Sequence, residues 1–108
     1  MDFVGKWNIK EMEMWNDGYF NMEVQAYIEI EENGDGEFQF GLVHGYIDGK
    51  IVKYKEGNRF EFSWEGNDEM DEANGTGWIR LKDNNREIEG EFRFFEGDNS
   101  TFLANKAN

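Results

Sequence analysis

A chain of 108 residues has room for one domain with a core that needs no covalent staple. It contains no cysteine, which excludes disulfides and thiolate metal sites and agrees with a reducing compartment. A formal net charge of −13 repels phosphate backbones and anionic lipid headgroups. Nucleic acid and membrane surfaces are therefore set aside as partners, and cations, basic proteins and neutral small molecules stay open.

Aromatic residues make up 17% of the chain, too many for a disordered acidic polymer. No apolar run reaches membrane-spanning length. Residues 1–5 lack the basic and apolar regions of a secretion signal, so the expected location is cytoplasmic. Thirteen glycines and no proline suit a sheet protein whose turns use positive φ.

The dominant pattern is alternation with period two, broken by Gly/Asn/Asp turns. It predicts a first strand over 4–10, with Gly5, Trp7 and Ile9 on one face, and Met12 and Met14 carry the alternation toward Trp15. Asn16-Asp17-Gly18 reads as a turn. A second strand lies within 22–31, with Val24, Ala26, Ile28 and Ile30 inward. A third covers 37–43, with Phe38, Phe40 and Leu42 on one face. His44-Gly45 links it to a fourth over 46–54. The fifth, 59–65, puts Phe60, Phe62 and Trp64 inward.

Residues 65–72 then read as a loop in which five of eight residues are carboxylates. The sixth strand spans 75–82, with Ile79 and Leu81 inward and Trp78 on the outer face. Asp83-Asn84-Asn85 turns into a seventh over 86–95, with Ile88, Gly90, Phe92 and Phe94 inward, and a last strand follows over 100–105 with Phe102 and Ala104 inward. Eight such strands in a meander must hide two edges, and pairing the first with the last removes both. The expected class is all-β: an eight-stranded antiparallel up-and-down barrel occupying 1–108 as a single domain. An open sheet or sandwich of the same strands is the alternative. The bulky inward aromatics argue for a largely filled interior.

Phe3-Val4-Gly5-Lys6-Trp7 is similar to the start of the fatty-acid-binding proteins, and Gly5-Lys6-Trp7 resembles the calycin group of lipocalins, fatty-acid-binding proteins and avidins. The resemblance implies that Trp7 closes the floor of the barrel under a basic side chain, here Arg93 or Lys106. A second resemblance rests on Glu11-Met12-Glu13-Met14-Trp15, on Gly36-Glu37-Phe38-Gln39-Phe40-Gly41, and on Phe62-Ser63-Trp64-Glu65-Gly66-Asn67-Asp68-Glu69-Met70-Asp71. These segments look like the motifs of a family of small uncharacterised bacterial proteins. That family brings no activity with it.

Several constellations bear on chemistry. Asn67, Asp68, Glu69 and Asp71 supply the hard oxygens that calcium takes, a weak cation site, although their spacing does not fit an EF-hand. The other reading is a solvated charged loop or a contact for a basic partner. His44 is the only imidazole, and neither Ser63 nor Ser100 lies in a nucleophile elbow, so a structural role is favoured over a triad. Glu11 and Glu13 flank Met12 near the presumed mouth, but nothing sets the separation that glycosidase chemistry needs. Trp15, Tyr19, Tyr27, Tyr46, Trp78 and Phe95 fall off the inward set, either as a partner patch or as covers for the barrel ends.

The leading expectation is a non-enzymatic barrel holding a small apolar or aromatic molecule at its mouth, with Trp7, Trp15, His44, Trp64 and Trp78 as candidate ligand residues. The alternative is an acidic interaction or homodimerising module without a small ligand. An enzyme using His44 with loop carboxylates is less favoured. No cofactor beyond the weak calcium site is expected.

Overall fold

The alternation closes on itself. A computed structural model describes residues 2–82 and 84–107. Among them, strands β1 (Gly5–Met12), β2 (Tyr27–Ile30), β3 (Asp35–Phe40), β4 (Val43–Tyr54), β5 (Gly57–Asp68), β6 (Asp71–Leu81), β7 (Glu87–Phe94) and β8 (Asn99–Lys106) pair in chain order as a closed antiparallel barrel. The closure is β1 against β8, from Trp7↔Lys106 to Met12↔Phe102. The protein is therefore the all-β up-and-down barrel that the meander requires, an architecture compatible with a calycin-like one. We call the end where β1 begins the floor and the end where it finishes the rim.

Inward residues pack as a continuous aromatic column. Phe3 meets Phe60 at 6.1 Å between ring centroids, and Phe60 meets Phe62 at 6.0 Å. Phe92 joins Phe38 at 4.5 Å and Phe102 at 4.6 Å, and Phe38 leads through Phe40 to Trp15 at the rim. Rings of this size fit because glycines sit opposite them. A methyl on Gly45 would stand 2.5 Å from Phe38 Cε2 and 2.8 Å from Trp64 Cε3, and one on Gly49 would stand 2.5 Å from Phe60 Cζ. Gly77 and Gly90 seat Phe62 and Phe102 in the same way. Each ring lies across a strand that has no side chain to push it back.

Four boundaries depart from the alternation as read. In β1 the register with β8 shifts between Ile9 and Glu11, a bulge at Lys10 that turns Met12 inward. Second, residues expected to begin the second strand do not. Asn16 caps a one-turn helix α1 (Asp17–Phe20), its side chain accepting from the Tyr19 N–H, and Phe20 is buried. Asn21 Oδ1 accepts from the Ala26 N–H at 2.8 Å, and Gln25 donates to the Ile9 carbonyl at 3.2 Å. These polar side chains hold 21–25 out of the ladder, so Val24 is exposed rather than inward.

Third, the β3–β4 reversal uses Gly41 (φ +58°) and Leu42, not His44-Gly45. A Cβ on Gly41 would meet the Tyr19 ring. Leu42 is half-buried in the turn, while Val43 is buried and His44 lies within β4. Fourth, the acidic loop is mostly strand. β5 runs to Asp68 and β6 starts at Asp71, leaving Glu69 (φ 60°) and Met70 as a two-residue turn. The Glu69 N–H ties this hairpin to the Leu42 carbonyl at 2.9 Å. In the turn expected at Asp83-Asn84-Asn85, Asp83 lies outside the described residues.

We predict that Trp64→Ala destabilises the fold by about 3–5 kcal/mol, since it empties a buried site spanning two glycine seats. Gly45→Ala should cost about 1–3 kcal/mol by forcing the Phe38 and Trp64 rings apart. Urea titration followed by circular dichroism checks both. A loss under about 1 kcal/mol for Trp64→Ala would show that the rings do not depend on one another.

Candidate functional site

The five candidate ligand residues do not converge. Trp7 sits at the floor, fully buried, and its Nε1–H donates to the Phe3 carbonyl at 3.0 Å. Lys106 lies over its ring with Nζ 4.5 Å from the centroid and donates to the Val4 carbonyl. Between the two basic residues expected there, Lys106 takes the place, while Arg93 pairs with Glu91 at 2.8 Å. Trp15 closes the opposite end, against Phe40 at 5.1 Å, Tyr19 at 6.0 Å and Phe94 at 6.1 Å. It belongs with the core and not on an outer face, because the chain folds back over the rim through α1.

Trp64 lies between them, edge-on to Phe38 and Phe94 at 5.1 Å each. Its Nε1 is buried with no hydrogen-bond partner among the described residues. His44 projects from the outer face of β4, with Nε2 3.0 Å from Glu37 Oε2 and its ring edge-on to Tyr46. Its ladder partner is Asn67, and the carboxylate it meets is on β3, not on the hairpin that an enzymatic reading would use.

Trp78 is on the outer face, as the alternation requires. Its Nε1–H donates to Glu91 at 3.2 Å, and the Arg59 guanidinium lies 4.2 Å above its ring and 4.9 Å from that of Tyr54. A groove of about 430 Å³ runs past Tyr54, Arg59, Trp78 and Arg93, and one of about 550 Å³ lies between Arg59, Arg80 and Lys82. Both open on the outside of the barrel. From sequence Arg59 read only as a charge offsetting carboxylates across strands; it stands diagonally from Trp78, two residues along from Glu61, the rung partner of Trp78.

The candidate cation ligands are spread along a ladder. Asp68 faces Asp71 and Asn67 faces Glu72 across the hairpin, and the Asn67 amide donates to the Glu69 carbonyl at 2.9 Å. Among the described residues, no three His, Asp or Glu side chains gather as a metal would need. Glu13 is likewise engaged, accepting from the Thr101 N–H at 3.3 Å and hydroxyl at 3.4 Å.

The rim has a different composition from the floor. Segments 11–26, 41–45, 65–74 and 95–99 form it, and together they hold eleven carboxylates with no Lys or Arg. Nine of the eleven Lys and Arg residues lie at the floor, in 2–8, 50–59, 80–89 and 105–107. The rim also carries exposed apolar side chains: Met70 at 95%, Phe95 at 70%, and Met14, Met22 and Val24 near half. Phe95 was visible in the sequence as an outer aromatic. Met14 was visible only as a continuation of the first strand's alternation, and Met22 and Met70 were not singled out, because a lone Met near a turn gives no periodic signal.

Three outer-face groups have displaced acidities, and for Tyr54 the hydrogen bond its hydroxyl donates to Glu61 holds the phenol above its usual range. Burial, and then the charges of Glu37 and Glu29, hold the Tyr27 phenol above its usual range. A hydrogen bond from Lys10 holds the Glu87 carboxyl below the ordinary carboxylate range. No protein-family model, curated protein or solved structure matches the chain, so its own geometry carries the functional argument. No helix among the described residues is long and apolar enough to cross a membrane.

Glu87 gives a pH prediction. Its folded pKa is lowered, so its ionised form stabilises the fold above the unfolded carboxylate pKa, and that contribution is lost as pH falls through the lowered value. Wild type should melt above Glu87→Gln at pH 7, and the gap should close in acid. Scanning calorimetry across pH checks this; a gap that persists in acid would mean that the variant acts through packing.

Proposed function

We propose that this protein is a non-enzymatic interaction module that receives a basic, amphipathic protein segment on its acidic rim. One observation carries the reading: the most exposed apolar side chains, Met70 and Phe95, stand on the one end of the barrel that has carboxylates and no Lys or Arg. Exposed apolar groups ringed by one charge match a partner with the opposite charge and an apolar stripe. Methionine adapts its shape to whatever packs on it, which suits such a surface. Fixed hydrogen bonds hold the tips in place: Glu69 N–H to Leu42 and Phe95 N–H to Asn74. The interior supports this division of labour, since its side chains are spent on packing.

A second reading keeps the small apolar or aromatic ligand at the mouth. It draws on the buried, partnerless Nε1 of Trp64. Trp15 and Phe94 already fill the space above that indole, so a ligand would have to displace them. A calycin kinship would favour this second reading; kinship with the small bacterial proteins would favour neither.

The test is calorimetric titration with a peptide of alternating leucine and lysine heptads. Binding is expected, weakening about tenfold or more between about 50 mM and 500 mM salt. Met70→Ser combined with Phe95→Ser should also lower affinity about tenfold or more. Equal binding of a glutamate analogue, or indifference to both substitutions, would remove the rim as the site.

A further inference from the structure

The barrel is closed, but one of its hairpins is longer than its neighbours. The last rung between β3 and β4 is Asp35↔Asp48, and the Gly49 N–H then donates to the Gly34 carbonyl at 2.9 Å. β4 continues through Lys50–Tyr54, paired to β5 as far as Tyr54↔Gly57. Among the described residues no strand lies on its other side. Since the Gly49 N–H points to that side, alternation points the N–H and C=O of Ile51 and Lys53 there as well. These backbone groups form an open edge.

We propose that this edge accepts an acidic, extended peptide as an added strand. Backbone groups supply the pairing, and charge supplies the choice. Lys50 and Lys53 flank the edge and Lys55 stands just beyond it, all three exposed. Among the described residues none of them has a carboxylate at ion-pair distance. A second copy is a poor occupant, because antiparallel self-pairing through Ile51 and Lys53 would set Lys53 diagonal to its own counterpart and crowd three lysines from each copy onto one short edge. The acidic hairpin of another copy is no better. β5 is already paired on both flanks there, and β6 pairs with β7 only from Gly75, after the Asn74 carbonyl is taken by Phe95. That leaves Glu72 as the one residue with outward backbone groups on that edge, too short a stretch to span Ile51 and Lys53.

The experiment is amide-resolved NMR titration of the intact chain with a blocked eight-residue peptide of alternating threonine and glutamate. The Ile51 and Lys53 amides should shift and gain exchange protection, whereas an alternating threonine and lysine peptide should leave them unmoved. Lys53→Pro removes an outward N–H without touching a rung to β5, and edge strands tolerate proline. It should keep the native spectrum and weaken binding about tenfold or more. Lys50→Glu with Lys53→Glu should do the same by charge alone. The proposal is overturned if the glutamate peptide leaves these amides unchanged, or if neither variant weakens it. It is equally overturned if ultracentrifugation shows two copies pairing through the same amides.

Discussion

The structure depends on rings laid across glycines. An eight-stranded barrel leaves an interior about as wide as its own side chains can fill. Here the filling is done by few, large groups, and each needs a neighbour with no Cβ. Trp64 covers Gly45 on one flank, and its Nε1 stands 3.0 Å from where a Gly75 Cβ would be on the other. Phe38 shares the Gly45 seat, so the rings of β3 and β5 interlock over β4. The same contacts curve the strands, because glycine permits the close coiling that closure demands. Aromatic content and glycine content are therefore one feature of this sequence, not two.

That packing decides where function can reside. Side chains committed to the column are not free to change identity for a ligand without leaving a void. What stays free is the outer face, the turns and any strand that outruns its partner. The charges follow this geometry. Toward the floor, Lys10 on β1 reaches past β8 to Glu87 on β7, and Arg80 meets Glu89 on the neighbouring strand, so cations and carboxylates offset one another. At the rim no cation does so, and carboxylates there face one another, as Asp68 faces Asp71. Like charges opposed across a ladder cost stability. A partner that brings positive charge would relieve that cost, which is the physical ground for proposing a basic segment there.

Much of this was legible in the residues. The inward set of the fifth, seventh and eighth strands followed directly from alternation, and Trp78 was rightly placed outside. Closure followed from the need to hide edges. Two of the errors have a common cause: period two is blind to one-residue events. A bulge at Lys10 moved Met12 inside, and a positive φ at Gly41 moved the reversal three residues upstream of the expected His44. The acidic hairpin misled for a different reason. Asp, Glu and Asn are poor strand formers, so composition reads as loop, while pairing with β4 on one side enforces strand. At the candidate site, Trp residues were legible as important but not as separate. Three of them are bound to the two ends and the middle of one column, and the fourth to the outside.

Unequal strands make an incomplete wall unavoidable. β2 has 4 residues and β3 has 6, whereas β4 and β5 have 12 each. A ladder cannot extend past its shorter member, so closing β1 on β8 seals the middle of the barrel and leaves the longer hairpin standing proud at the floor. Lysines on such an edge are usually read as protection against aggregation. Protection and selection are the same physics here. Lysines along an edge add like-charge repulsion against a copy of itself and against any basic strand, whereas an acidic strand would offset them.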